Sequence, residues 1–283
     1  MTWRVNDAAS WADVQRRMRS GATLSPLLPL GEDAAYLWIP KNGCTTLKRA
    51  WLQLQRQPFV DNELAIHSSA LRQTIWCRPD DLREVVTQRQ LVAIWRDPID
   101  RFVSACRSHL SGLTTARVHA RFKANAKSPD DYRAAVAYHD QLYRNYGLQS
   151  FPDGSEPADV MNAVALQLGD WIACDLDWSH HTLPQVSYLG GDPGMFASIL
   201  GMEQIATLLK HWEQASGCPL DATPQHVSSK LTNTDPWRRM QRVQLSPAAL
   251  QALKQFYAAD WAFLDLAQQL LVPIQTKPTR QAA

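Results

Sequence analysis

Short apolar runs closed by turn residues and followed by a helical repeat occur twice along the chain. The run Ala35-Tyr36-Leu37-Trp38-Ile39 has the composition of a buried strand and ends at Pro40 and a Gly43 turn. Beyond it Leu47, Trp51 and Leu54 return at i, i+4 and i+7, one face of a helix. The second unit opens with Leu91-Val92-Ala93-Ile94-Trp95, passes through Arg96-Asp97-Pro98, and continues with Ile99, Phe102, Val103, Cys106 and Leu110 on one helical face. Asp97 is a good N-cap there, and Pro98 sits where a first helical turn tolerates it. Two strand-loop-helix units predict an α/β fold, a parallel sheet flanked by helices, whose ligands gather beyond the carboxyl ends of the strands. Both loops fall at that edge.

Arg78-Pro79-Asp80-Asp81 opens a further helix, and apolar periodicity predicts helices over residues 129–146, 158–168, 202–215 and 247–271. Gly147 and Gly217 stand just past two of these ends as C-terminal caps. The first 33 residues read as a lead-in helix and then a loop through the Pro-containing stretch 24–30. Residues 151–157 are a polar, turn-rich connection, more an insertion than a domain boundary, and the chain from about 274 onward is a frayed tail.

At 283 residues and 45% hydrophobic the chain can bury a substantial core as one domain. Its 29 Lys and Arg against 27 Asp and Glu leave a net +2, too balanced for long-range attraction to nucleic acid or an anionic membrane. Any anion must be met locally. No apolar run reaches the roughly 18 residues of a membrane span, and the N-terminus lacks the charged-then-apolar layout of a signal peptide. A soluble, unexported, cytoplasmic protein is expected. Five widely spaced cysteines without a C-x-x-C pair fit reduced thiols, and no metal-ligand cluster stands out. Most of the eleven Trp are expected in the core.

The first loop, Pro40-Lys41-Asn42-Gly43-Cys44-Thr45-Thr46-Leu47-Lys48-Arg49, runs from strand into helix. Backbone N–H groups and the positive helix end converge there on an anion. Lys41 reaches the same point, Gly43 allows close backbone approach, and Thr45 and Thr46 add hydroxyls. A Walker A pattern is absent, because the lysine precedes the only glycine. The place where a cysteine phosphatase needs its arginine is Ala50, with Arg49 one position early. Cys44 is therefore read as a packing or backbone-donor residue. In the second loop Arg96 ends a strand and Ser104 follows eight residues later in the helix, a planar fork and a hydroxyl for a second phosphate.

Together the two loops resemble the Golgi-type carbohydrate sulfotransferases, the chondroitin, dermatan and HNK-1 enzymes, and their bacterial relatives. That family carries close to P-K-x-G-C-T-x-x-K-R and R-D-P-x-x-R-x-x-S-A. Pro40, Lys41, Gly43, Cys44, Thr45, Lys48 and Arg49 match the first pattern; Arg96, Asp97, Pro98, Arg101, Ser104 and Ala105 match the second. His181, Pro184 and Gln185 are similar to the D-x-H-W-x-P-Q acceptor-side segment, with Ser179 and Thr182 in place of its Asp and Trp. Tyr257, Asp260 and Trp261 are similar to the closing Y-x-x-D-aromatic helix, read as packing. The resemblance implies the sulfotransferase fold, with its P-loop-like phosphate site, and 3′-phosphoadenosine-5′-phosphosulfate (PAPS) as co-substrate, leaving PAP. It also implies a cytosolic bacterial member, a hydroxyl acceptor on a carbohydrate or small molecule, and no metal.

It divides the single domain into a donor-binding core near 34–110, acceptor-side elements near 111–272 and a tail from 273. Lys41 would meet charge on the departing 5′-phosphate. The donor is held by Lys41, Asn42, Gly43, Cys44, Thr45 and Thr46 at one arm and by Arg96 and Ser104 at the other. The acceptor would meet His181 and Gln185. For the base, His67 comes first, then His181 and His180. Asp175 and Asp177 read as loop carboxylates, and residues 225–230 as a plain polar loop, with closure over the nucleotide the alternative. Sulfation of a non-sugar metabolite, a nucleotide-binding module without catalysis, and a phosphotransferase stay open at this point.

Overall fold

In the computed structural model, residues 23–57, 63–87, 90–221 and 235–270 are described. Five strands, β1 (Ser25–Leu30), β2 (Ala34–Leu37), β3 (Ile75–Cys77), β4 (Gln90–Trp95) and β5 (Phe196–Gly201), form one sheet in the order β3-β1-β2-β4-β5. The helices are α1 (Cys44–Leu54), α2 (Glu63–Gln73), α3 (Leu82–Val86), α4 (Pro98–His109), α5 (Thr115–Asn125), α6 (Pro129–Asn145) and α7 (Pro157–Leu166). They continue as α8 (Leu168–Cys174), α9 (Leu176–Thr182), α10 (Val186–Leu189), α11 (Ile205–Ser216), α12 (Pro247–Phe256) and α13 (Ala258–Leu270).

The expectation of a parallel sheet needs correction. β2, β4 and β5 run parallel, but β1 is antiparallel to both β2 and β3. The stretch 24–30, read as a loop because of its prolines, is this added strand. Pro29 lies beyond the end of β3, which pairs only with Ser25–Leu27, so its missing N–H removes no ladder bond. Its carbonyl accepts from Trp51 Nε1 at 2.7 Å instead. Pro26 likewise faces away from β3, its carbonyl taken by the Trp38 N–H at 3.1 Å.

The caps are where the residues put them. Asp97 accepts from the N–H groups of Ile99 and Asp100 at 2.9 and 3.0 Å, and Gly147 and Gly217 end their helices at φ 67 and 65. The helix expected over 247–271 breaks at Tyr257, and the one over 158–168 breaks at Gln167. One apolar cluster joins the sheet to α1, α2 and α11, a second joins its other face to α3, α10 and α13, and a third unites α4 with α7, α8, α9 and α12. Trp38, Trp51, Trp76, Trp95, Trp171, Trp178 and Trp212 are buried in them. The adjacency of β2 and β4 matters most, because it sets the first and second loops side by side.

Candidate active site

The chain leaves β2 through Trp38 and Ile39, both buried, and then bends sharply. Lys41 lies at φ 68 and Gly43 at φ 70. The left-handed region costs a non-glycine residue about 1–2 kcal/mol, and at Lys41 the Arg96 guanidinium holds the strained unit by donating from Nη1 to its carbonyl at 2.7 Å. At Gly43 a Cβ would also stand 2.5 Å from Ile205 Cδ1. Gly43→Ala is therefore expected to lower stability by about 1–2 kcal/mol in urea unfolding; a loss under about 0.5 kcal/mol, within ordinary surface-substitution scatter, would contradict this account of the turn. Directly after it, Cys44, Thr45 and Thr46 form the first turn of α1, whose N–H groups the helix itself does not use.

Not every residue of the loop faces outward. Asn42 is wholly buried; its Nδ2 donates to the Ile94 carbonyl at 2.7 Å and to Gln185 Oε1 at 2.6 Å, and its N–H donates to Ile39. Gln185, also wholly buried, accepts from the Arg96 N–H at 3.3 Å and donates from Nε2 to the Arg96 carbonyl at 2.8 Å. These side chains are spent inside the protein. Assigning Asn42 to donor contact and Gln185 to acceptor contact thus gives way to a bracing role: they rivet the first loop to the second. Asp260 on α13 completes the brace by accepting from the N–H groups of Gln185 and Val186, both at 3.0 Å. Arg101 adds Nε to the Pro40 carbonyl at 2.9 Å and Nη1 to Leu183 at 2.6 Å, and the Tyr257 hydroxyl donates to Thr182 at 2.7 Å.

Arg96 itself sits among charges. Burial lowers its pKa, with Arg107 and Arg101 acting the same way and Asp100 and Asp97 opposing. Those carboxylates are occupied: Arg242 reaches Asp97 at 3.1 Å and Asp100 at 3.3 Å, and Asp97 also caps α4. Ser104, half-buried, lies on α4 one turn before Ser108, whose Oγ receives Lys41 Nζ at 2.9 Å. Lys41, Arg96, Ser104 and Ser108 thus surround one short stretch of loop. Arg49 is turned elsewhere, to Asp221 at 2.9 Å.

Histidines flank the loop from two directions. From α2, His67 brings Nε2 to 3.2 Å from Thr45 Oγ1 and Nδ1 to 3.2 Å from Lys48 Nζ. Lys48 is 1% exposed and lies over the Trp38 ring, 3.2 Å from its centroid. From α4 and α9, His109 and His181 pack together with ring centroids 4.1 Å apart; His180 lies 5.1 Å from His181 and 5.9 Å from Trp38. Lys48, Trp38 and His109 escape sequence reasoning as site residues. A usable signal existed in part, since Lys48 matches the first loop's pattern without having been given a task there, and His109 directly follows Ser108. Asp175 accepts from the Trp178 N–H at 3.3 Å. The Asp177 side chain and residues 225–230 lie outside the described residues.

A protein-family model described as the sulfotransferase family matches residues 32–267, a span that contains both loops, the histidine segment and most of α13. The chain belongs to the sulfotransferase family. No curated protein and no solved structure matches it. Sulfotransferases of this family generally take the sulfuryl group from PAPS. The donor set here suits such a polyanionic nucleotide: Lys41 and Arg96 supply cations, the nearest carboxylates are already paired, and hydroxyls and helix-end N–H groups fill the rest. A cleft of about 740 Å³ opens beside Arg96, lined by Trp95, Gly201, Met202, Glu203 and Trp261. Among the described residues no group of three or more His, Cys, Asp or Glu is arranged to hold a metal ion, and no helix is long and apolar enough to cross a membrane.

Proposed function

We propose that this sulfotransferase moves a sulfuryl group from PAPS to a hydroxyl of a carbohydrate or another small-molecule acceptor, by positioning and charge compensation and without a metal. One observation carries the reading: the Arg96 guanidinium lies 2.7 Å from the Lys41 carbonyl. Two cationic loops at neighbouring strand ends offer separate pockets for the two phosphate-bearing arms of a single nucleotide. PAPS would supply an activated sulfuryl group. Lys41 meets charge growing on the 5′-phosphate, and the N–H groups from Gly43 to Thr46 hold sulfonate and phosphate oxygens. Arg96 and Ser104 clamp the 3′-phosphate, with the cleft beside Arg96 roomy enough for the nucleoside. Little covalent work falls to the protein beyond alignment and proton removal. His67, against Thr45, stands at the helix end that grips the transferred group, and His181 packs against His109, next to the Ser108 that receives Lys41. Residues 34–110 then carry both phosphate loops, and 111–272 carry the acceptor side together with the wall of the nucleoside cleft from Gly201 to Trp261, in one cytoplasmic enzyme.

Calorimetry with PAP and with AMP tests the donor half. PAP should bind at least about tenfold tighter than AMP, and Arg96→Ala should remove that preference, a loss of about 1.5–3 kcal/mol for a charge-assisted contact, on top of a smaller, shared weakening from the Lys41 carbonyl losing its donor. Equal weakening toward both nucleotides would detach Arg96 from the 3′-phosphate, and no heat with PAP would refute the donor assignment. Labelled PAPS with a panel of sugars and non-sugar alcohols separates the acceptor classes.

A further inference from the structure

Lys48 is the buried titratable group of the site that the reading above leaves without a task. Its side chain is enclosed, yet it is aimed at chemistry rather than at a carboxylate: Nζ is 3.2 Å from His67 Nδ1, and the far nitrogen of that ring is 3.2 Å from Thr45 Oγ1. An ammonium can only donate. We infer that Lys48 is a positioning residue that sets which nitrogen of His67 is basic. As an ammonium it donates to Nδ1 and fixes His67 with its proton on Nε2, so that no basic nitrogen faces Thr45. As a neutral amine it accepts the Nδ1 proton and leaves Nε2 as the basic nitrogen, its lone pair facing Thr45 Oγ1. The inference rests on the sulfuryl-transfer reading and on His67 as base.

The surroundings suit a lysine that changes charge. Burial brings its pKa down to about 8, with Cys44 acting in the opposite direction. Among the described residues the groups facing it are Cys44 on its own helix, His67 from α2 and the Trp38 ring beyond β2; Tyr36 on β2 feels the same Cys44 thiol, and His180 of α9 packs T-shaped against Trp38. Trp38 offers the ammonium a π face without neutralising it. In turnover the acceptor hydroxyl gives its proton to His67 Nε2 while the Nδ1 proton passes to Lys48 Nζ. Meanwhile the acceptor oxygen bonds to sulfur, and the bond from sulfur to the 5′-phosphate oxygen breaks with its electron pair left on that phosphate. After product leaves, the proton returns through His67 to solvent.

The sign follows from the charge state: the amine form is the competent one, so kcat/KM should rise with pH through about 8. Lys48→Arg, charged at every accessible pH, should lower kcat/KM about 10²-fold, the usual share of a general base, and flatten the rise. Lys48→Met, which keeps the stem, should move the rise to lower pH. A purely structural lysine would leave the position of the rise unchanged in both variants. Long-range nitrogen NMR of His67 in the wild-type protein without nucleotide gives a readout free of activity and of variant folding. The ring should change from the Nε2–H to the Nδ1–H form near pH 8. One tautomer throughout would overturn the inference even if PAP binds normally, whereas a tautomer switch with no PAP binding would leave it standing and defeat the donor assignment alone.

Discussion

Lys41→Ala is expected to lower kcat by about 10²–10³-fold, the range for removing one preorganised donor aimed at developing charge, while PAP affinity falls far less. The ammonium is held at Ser108 Oγ, a neutral partner that it can leave cheaply when charge grows on a nearby oxygen. With PAPS as the donor proposed above, its leverage would be concentrated in the transition state, where the bond to the 5′-phosphate would break and an oxygen of PAP become more negative. The backbone at Lys41 keeps its left-handed geometry in the variant, because Arg96 grips the carbonyl and not the side chain. Melting temperature should accordingly stay close to wild type, so that lost turnover is not lost fold. Single-turnover measurements with labelled PAPS check the result. A drop below about tenfold would mean that Lys41 does not face the departing oxygen, since a charge-assisted contact alone accounts for more.

The parts of the molecule legible from residues alone are those where local chemistry agrees with the final packing. Asp97-Pro98 writes a helix start, Gly147 and Gly217 write helix ends, and two apolar pentamers write the central parallel strands. Strand β1 hid behind Pro26 and Pro29, because only the staggered pairing with β2 and β3 shows that neither proline is asked for a ladder bond. β3 is three residues long, and in β5 the polar Ser198 is buried while the apolar Ile199 is not, so the residue types do not follow the burial and neither strand produces a strong local pattern. The site shows the same division. Lys41, Arg96, Ser104 and Thr45 announce themselves by motif, and pairing of β2 with β4 brings their loops together. Gln185 belongs to a motif and Asn42 fills an open position inside another, but such placement does not distinguish a ligand contact from a brace; that took the burial of both amides against Arg96 and Ile94. Lys48 needed the third dimension, since nothing local says that a lysine four residues into a helix is enclosed under a tryptophan.

Arg101→Met should be the most damaging substitution for the fold, destabilising it by about 3–5 kcal/mol, the range for stripping one partner from a buried charge network. Arg101 is wholly buried, and it ties the Pro40 carbonyl at the head of the first loop to the Leu183 carbonyl beside the Gln185 brace. Methionine fills similar volume but leaves both carbonyls without their donor and Asp260 without a nearby cation. Burial already raises the Asp260 pKa, held back by the Val186 and Gln185 N–H groups and by Arg101. A carboxylate with a raised folded-state pKa weakens the fold as pH climbs through that value, because the unfolded chain gives up the proton first. Without Arg101 the pKa rises further, so the deficit of the variant should be largest at neutral pH and shrink toward acid, where Asp260 is protonated in both proteins. Adding Asp260→Asn to Arg101→Met should cost less than the two single losses together, since the charge that Arg101 balances is then gone. Urea unfolding at two pH values reads all three effects. A loss for Arg101→Met under about 1 kcal/mol, typical of a mild substitution, would mean that the two loops are joined by Asn42, Gln185 and Arg96 alone.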